Sequence, residues 1–203
     1  GIRDYQPGDG MKLVDWKATA RTQTLKVREL GSTVDHSLAI VLNLDTLGVG
    51  WLGFSTLHLE RAATVAASLA HEALLDGRVV GLITNGTSLW YERAMSVTPA
   101  RNNQQRMLIF ETLAMVGPYV SGTIEDALLS HRGRLPYGAT LAIISGVFPE
   151  SLRRTVDELQ RAGYATQVLY VGDEHPETTA PPGAAFYDLS EYFRTQEAAS
   201  DWE

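Results

Sequence analysis

Ser37-Leu38-Ala39-Ile40-Val41-Leu42-Asn43-Leu44-Asp45 is apolar almost without a break and ends on an acid. A run of this length with no polar alternation reads as a strand buried on both faces, the kind that parallel sheets contain. Downstream, an alanine-rich helix is predicted from Leu57 to Leu75, closed by Asp76-Gly77. Arg78 to Thr84 (RVVGLIT) reads as a second strand, Asn85-Gly86-Thr87 as a hairpin turn, and Ser88 to Met95 as the antiparallel partner. Asn103 to Val116 is predicted helical and stopped by Gly117-Pro118. Thr123 to Arg132 is a shorter helix with Thr123 as its cap. Ala139 to Ser145 and Ala165 to Val171 are further buried strands, separated by a helix from Pro149 to Ala162 that ends at Gly163. Ala184 to Leu189 reads as a last short strand. Asp173 to Gly183 is a Pro- and Thr-rich surface loop, and the residues after Glu191 read as a fraying acidic tail. Strands alternating with helices at this spacing predict an α/β fold: a mostly parallel sheet with one antiparallel strand and helices on both faces.

Composition narrows the function classes. The 203 residues suffice for one large domain that buries roughly 70% of its unfolded surface. Zero cysteines exclude a disulfide framework, a thiolate nucleophile and cysteine-based metal sites. A net charge of −7 argues against a general nucleic-acid binder. No stretch approaches the run of about 20 apolar residues that a membrane helix requires, so the composition fits a soluble globular protein. The opening GIRDYQPGD lacks an initiator Met, and the sequence reads as a piece of a longer polypeptide.

Among chemical motifs, Gly48-Val49-Gly50-Trp51-Leu52-Gly53 matches the dinucleotide pattern GxGxxG. The predicted helix starts only after the motif, and Thr84-Asn85 stands where a ribose-binding acid belongs. The cofactor reading is therefore rejected, and no cofactor is expected. Asp45 lies near the carboxyl edge of the first strand, where open α/β sheets bind ligands. The metal site of von Willebrand factor type A domains needs Asp-x-Ser-x-Ser there and an acid after a later strand. Here Asp45-Thr46-Leu47-Gly48-Val49 and Ser145-Gly146 replace those ligands, so Asp45 is expected to bond backbone amides and no metal is assigned. His71-Glu72 has no second histidine at zincin spacing. His36, His58, His131 and His175 are expected to be solvated, and Asp157-Glu158 to be a solubilising pair. No nucleophile elbow or P-loop occurs, and no catalytic residue is assigned.

The densest pattern is at the start. Arg3, Asp4, Tyr5, Pro7, Gly8 and Asp9 are followed by Asp15, Trp16, Lys17, Ala20 and Arg21, and then by Leu25-Lys26-Val27-Arg28-Glu29. Physically these are a turn, alternating charges able to pair, amphipathic aromatic anchors, and an alternating half-exposed strand from Thr24 to Leu30. The run RDYQPGD…DWKATAR…L.VRE resembles the signature of the bacterial family called domain of unknown function 58. Gly10 and Met11-Lys12-Leu13 depart from its usual acidic and basic letters.

The resemblance implies a von Willebrand factor A-like fold of the Rossmann-like type. Its expected parts are a signature segment over 1–30 packed on the domain, the α/β domain over 31–192, and a flexible acidic tail over 193–203. It also implies a non-enzymatic adaptor that partners a MoxR-like AAA+ ATPase and links it to a client protein. The parent would be anchored by membrane segments preceding the signature, at the cytoplasmic face of the inner membrane. The expected interaction surface is Asp45, Thr46, Leu47, Gly48 and Val49 with Ser145 and Gly146, to which the signature segment is a candidate addition. A degenerate metal-ion-dependent adhesion site, as a binding module or hydrolase, is the alternative.

Overall fold

A computed structural model describes residues 2–6, 14–28, 37–48, 53–88, 94–173, 176 and 179–200. The chain divides into two compact units, Gly1–Asp35 and His36–Glu203. In the first, β1 (Ile2–Asp4) pairs antiparallel with β2 (Lys26–Arg28), and α1 (Trp16–Thr22) lies between them in sequence. Asp15 caps α1 by accepting the N–H groups of Lys17 and Ala18 at 3.1 and 3.0 Å, which satisfies two of the donors a helix start leaves open. Asp4, one of the charges expected to pair, forms a 2.7 Å ion pair with Lys26 of β2. Trp16 is 63% exposed, and Lys17, Ala20 and Arg21 also face solvent or its margin. Pro7, Gly8 and Asp9 lie outside the described residues, as does the end of the strand predicted to reach Leu30.

The second unit is the α/β fold predicted. Its elements are β3 (Leu38–Leu42), α2 (Thr56–Leu75), β4 (Val80–Ser88), β5 (Ala94–Ala100), α3 (Gln105–Met115), β6 (Val116–Val120), α4 (Ile124–His131), β7 (Thr140–Ser145), α5 (Glu150–Arg161), β8 (Ala165–Tyr170), β9 (Ala185–Asp188) and α6 (Ser190–Ser200). Among the described residues seven strands form one sheet in the order β5-β4-β3-β7-β8-β9, with β6 also pairing β4. The pairs from β4 through β9 are parallel; β5 and β6 run antiparallel to β4.

Why β3 is apolar throughout is now plain. Leu38, Ile40 and Leu42 enter one core with Ala62, Ala66, Ala70 and Ala73 of α2. Ala39 and Val41 point the other way into a second core with Leu128 of α4 and Leu152, Val156 and Leu159 of α5. The period of two sends alternate residues to opposite faces, and both faces are covered. The alanines along α2 let its backbone lie close to the sheet.

Three local expectations are corrected. Asn85-Gly86-Thr87 is not a turn: β4 runs through it to Ser88, and the real connection to β5 falls at residues 89–93, outside the described residues. Gly86 is required there for space, since a Cβ would collide with Leu44 and come within 3.1 Å of Val116. Gly117-Pro118 does end α3, but as part of β6, where proline is tolerated because the strand is short and irregularly paired. The segment past Glu191 is helical through Ser200, with Phe193 packed on the core beside α2.

Ile143 on the central strand β7 is fully buried. Ile143→Ala is expected to lower unfolding free energy by about 2–5 kcal/mol through lost transfer energy and a residual cavity. Urea denaturation checks this by a lower midpoint at an unchanged slope.

Candidate functional site

The connection after β3 leads through α2 to β4 on one side of it, and the chain later returns from β6 through α4 to β7 on the other side. The carboxyl end of β3 is therefore a topological switch point, where open α/β sheets form a crevice. A cleft of about 380 Å³ lies there. Asp45 and Gly48 from the loop after β3, Val147 and Pro149 from the loop after β7, and Thr123 and Glu125 at the start of α4 line it.

The floor is a closed network of neutral side chains. Asn85 accepts the Leu44 N–H at 2.9 Å and donates to Asn43 Oδ1 at 3.0 Å and to the Gly122 carbonyl at 3.2 Å. Asn43 donates to Ser145 Oγ at 2.9 Å, and its Oδ1 also accepts the Asp45 N–H at 3.1 Å. Ser145 donates its proton to the Val147 carbonyl at 2.5 Å. Asn43, Asn85 and Ser145 are each at most 3% exposed, so these bonds replace solvent the groups have lost. One network thus ties the ends of β3 and β7 to Asn85 of β4 and to the approach to α4.

Charge enters only at the rim. Asp45 Oδ1 accepts the N–H groups of Gly48 at 2.9 Å and Leu47 at 3.4 Å, the backbone role expected of it. Thr123 caps α4, accepting the Asp126 N–H at 3.1 Å and donating to Asp126 Oδ2 at 2.8 Å. Asp45 and Glu125 are the ionisable side chains among the described lining residues, and both are acidic. Glu150, at the start of α5, is engaged elsewhere: the Arg153 guanidinium, helped by Arg154, holds its carboxyl down to about 2.

Behind the loop sits a second network that sequence reading missed. Arg61 on α2 is 3% exposed and donates to both carboxylate oxygens of Glu197 at 2.9 and 2.8 Å and to Asp173 Oδ1 at 2.7 Å. It also reaches the Val171 carbonyl at 3.3 Å and lies over the Phe193 ring. His58, one helical turn earlier, places Nε2 2.9 Å from Asp173 Oδ2 and Nδ1 3.3 Å from the Thr46 carbonyl. His58 is buried, where it was expected to be solvated. A chain of polar contacts therefore runs from the Thr46 loop through α2 to α6. Bonding to Arg61 holds Glu197 below the ordinary carboxylate range. Burial pushes Asp173 upward, but hydrogen bonds from Arg61 and His58 outweigh it, and its net displacement is also downward.

The residues expected to form the interaction surface therefore separate. Asp45 and Gly48 line the cleft and Leu47 is half-buried beside them. Thr46 and Ser145 are buried and hold loops in place: Thr46 Oγ1 accepts the Ser55 N–H at 2.8 Å. Gly146 is buried against His58, whose Cβ would lie 3.4 Å from a side chain added there. Val49 and the rest of the glycine motif to Leu52 lie outside the described residues, as do His36 and His175. The helix starts at Thr56, after the motif, as expected. Among the described residues, no three His, Cys, Asp or Glu side chains cluster so as to hold a metal ion. Asn43 and Asn85 left a faint signal, as polar residues inside or just after apolar strands. Arg61, Asp173 and Glu197 left none.

The fold and its switch-point cleft define an open α/β domain of the Rossmann-like kind, consistent with a von Willebrand factor A-like architecture. The chain belongs to the family described as "Protein of unknown function DUF58", whose model matches residues 1–189. It is similar to the uncharacterized protein YeaD of Bacillus subtilis, with 31% identity over 42% of this chain and 19% of that protein. It is also similar to the uncharacterized protein Rv1480 of Mycobacterium tuberculosis, with 34% identity over 61% of this chain and 38% of that protein. The chain thus spans well under half the length of these relatives. Among solved structures, the proximal thread matrix protein 1 from the mussel byssus aligns at TM-score 0.51 and 8% identity, over 78% of this chain and 46% of that one, a likeness of fold alone.

Two outcomes follow from this geometry. Asn85→Ala leaves the Leu44 N–H and Gly122 carbonyl unpaired and is expected to cost about 2–4 kcal/mol; faster amide hydrogen exchange at Leu44 than at mid-strand Ile40 would locate the loss. Because Asp173 and Glu197 have depressed folded-state values, their contribution is full above the ordinary carboxylate range and is lost as pH falls below it. Arg61→Met is expected to destabilise the domain at neutral pH by up to about 3 kcal/mol, the carboxylates left behind being half exposed. It should also flatten the acid limb of the stability–pH curve, measured by thermal melts from neutral to acid pH.

Proposed function

We propose that this domain is a non-enzymatic protein-interaction module whose switch-point cleft receives a segment of a partner. The observation that carries the reading is the contrast between a buried, internally satisfied amide floor and an acidic rim of Asp45 and Glu125. The floor holds the cleft's shape, and Ser145 spends its proton on a backbone carbonyl. The rim is left for recognition and favours a basic segment. By the family resemblance, the partner is a MoxR-like AAA+ ATPase, which the domain connects to a client protein. Nucleic acid is disfavoured by the net charge of −7. No helix among the described residues is long and apolar enough to cross a membrane. In this reading, attachment to the cytoplasmic face of the bacterial inner membrane comes from other segments of the parent.

A competing reading, in which Asp45 and Glu125 hold a divalent cation for a metal-dependent binding module or hydrolase, rests on the two carboxylates sharing one cleft. Binding of the purified ATPase to the chain, measured by calorimetry, separates the two. Glu125→Arg and Asp45→Arg are each expected to weaken it about tenfold or more by placing like charge against a basic segment. Unchanged affinity in both would remove the cleft as the surface. Heat on titration with magnesium, calcium or manganese, lost in the same variants, would favour the metal reading instead.

A further inference from the structure

A second cleft, of about 340 Å³, lies away from the switch point, where the end of α2 meets the start of α3. Its charged lining is of one sign. Arg101 and Arg106 face it with His71, Asn102 and Asn103, and the exposed Leu75 forms an apolar wall. Among the described residues no carboxylate lines it, although acids outnumber Lys and Arg by 24 to 17 in the chain as a whole.

The lining is held in place. Gln105 is 2% exposed and donates to the Val80 and Thr98 carbonyls at 2.7 and 2.9 Å, fixing the first turn of α3 to the sheet. Asn102 Oδ1 accepts the Gln104 N–H at 3.0 Å, which leaves its amide donors for another acceptor. Arg101 donates one guanidinium nitrogen to the Gly77 carbonyl at 3.1 Å, orienting the rest of the fork. That bond gives Arg101 a structural role at the end of α2, but it explains neither Arg106 nor the exclusion of acids. Arg106 is solvent-exposed on the first turn of α3.

We infer that this cleft binds a small molecule carrying a phosphate group, with the oxyanion held between Arg101 and Arg106 and an apolar body against Leu75. Two guanidinium forks, amide donors and an imidazole supply donors and no competing acceptor charge, the chemistry that phosphate oxygens require. The volume is in the range of small-ligand sites. The site is separate from the acidic cleft and does not rest on the proposed adaptor role.

The test uses the whole chain, with inorganic phosphate and phenyl phosphate as probes followed by two-dimensional NMR. Both probes are expected to shift the amides of Asn102–Arg106 and His71 saturably at millimolar concentrations, phenyl phosphate more tightly because its ring covers Leu75. Arg106→Ala should weaken both about tenfold or more, since it removes charge-assisted bonds. Arg154→Ala, which removes an exposed arginine of α5, should leave them unchanged. Absence of saturable shifts, shifts centred elsewhere, or equal affinity in Arg106→Ala would each overturn the assignment.

Discussion

The amide network of Asn43, Asn85 and Ser145 is the constraint on which the rest of the structure depends. Parallel strands end together at one edge, and their last carbonyl and amide groups have no continuing ladder to pair with. Here three short polar side chains bond one another and the backbone of Leu44, Asp45, Gly122 and Val147 in the loops beyond the strands, in a place that water does not reach. Neutral amides suit this task because each supplies donors and an acceptor without the desolvation cost of a charge. The cleft above exists because its floor is already satisfied and does not need to collapse onto a neighbour.

Charge is kept to places where it is paired or wet. Arg61 is deeply buried, yet its fork is filled by two carboxylates that remain half exposed, so the guanidinium is matched while the acids keep part of their hydration. This arrangement fastens α6 to α2, and through His58 and Asp173 it braces the loop that carries Asp45. The acidic and basic clefts described above differ in sign: the one at the strand ends is rimmed by Asp45 and Glu125, the one between α2 and α3 by Arg101 and Arg106.

Most of the fold was legible because its signals are local. The unbroken apolar run of β3, the alanine face of α2, the stripe of Leu152, Val156 and Leu159 on α5, and the Thr123 cap all act within a few residues of themselves. Errors arose where one local pattern serves two ends. Asn85-Gly86 suits a tight turn, but here the asparagine is a cross-strand bonding group and the glycine makes room for Leu44. Gly117-Pro118 ends a helix, as expected, while entering a strand. His58 looked like a solvated helix-start residue, because nothing near it in sequence announces Asp173.

The sequence by itself determined the alternation of strands and helices from Leu38 to Asp188 apart from β6, which faces are apolar, the acidic character of the chain and, through the signature from Arg3 to Arg21, its family. Only the tertiary structure decided which polar residues work together. Asn43 meets Ser145 across 102 positions and Arg61 meets Glu197 across 136. Periodicity is written into neighbouring residues, whereas a hydrogen bond between distant ones exists only after the sheet has brought its strand ends to one edge.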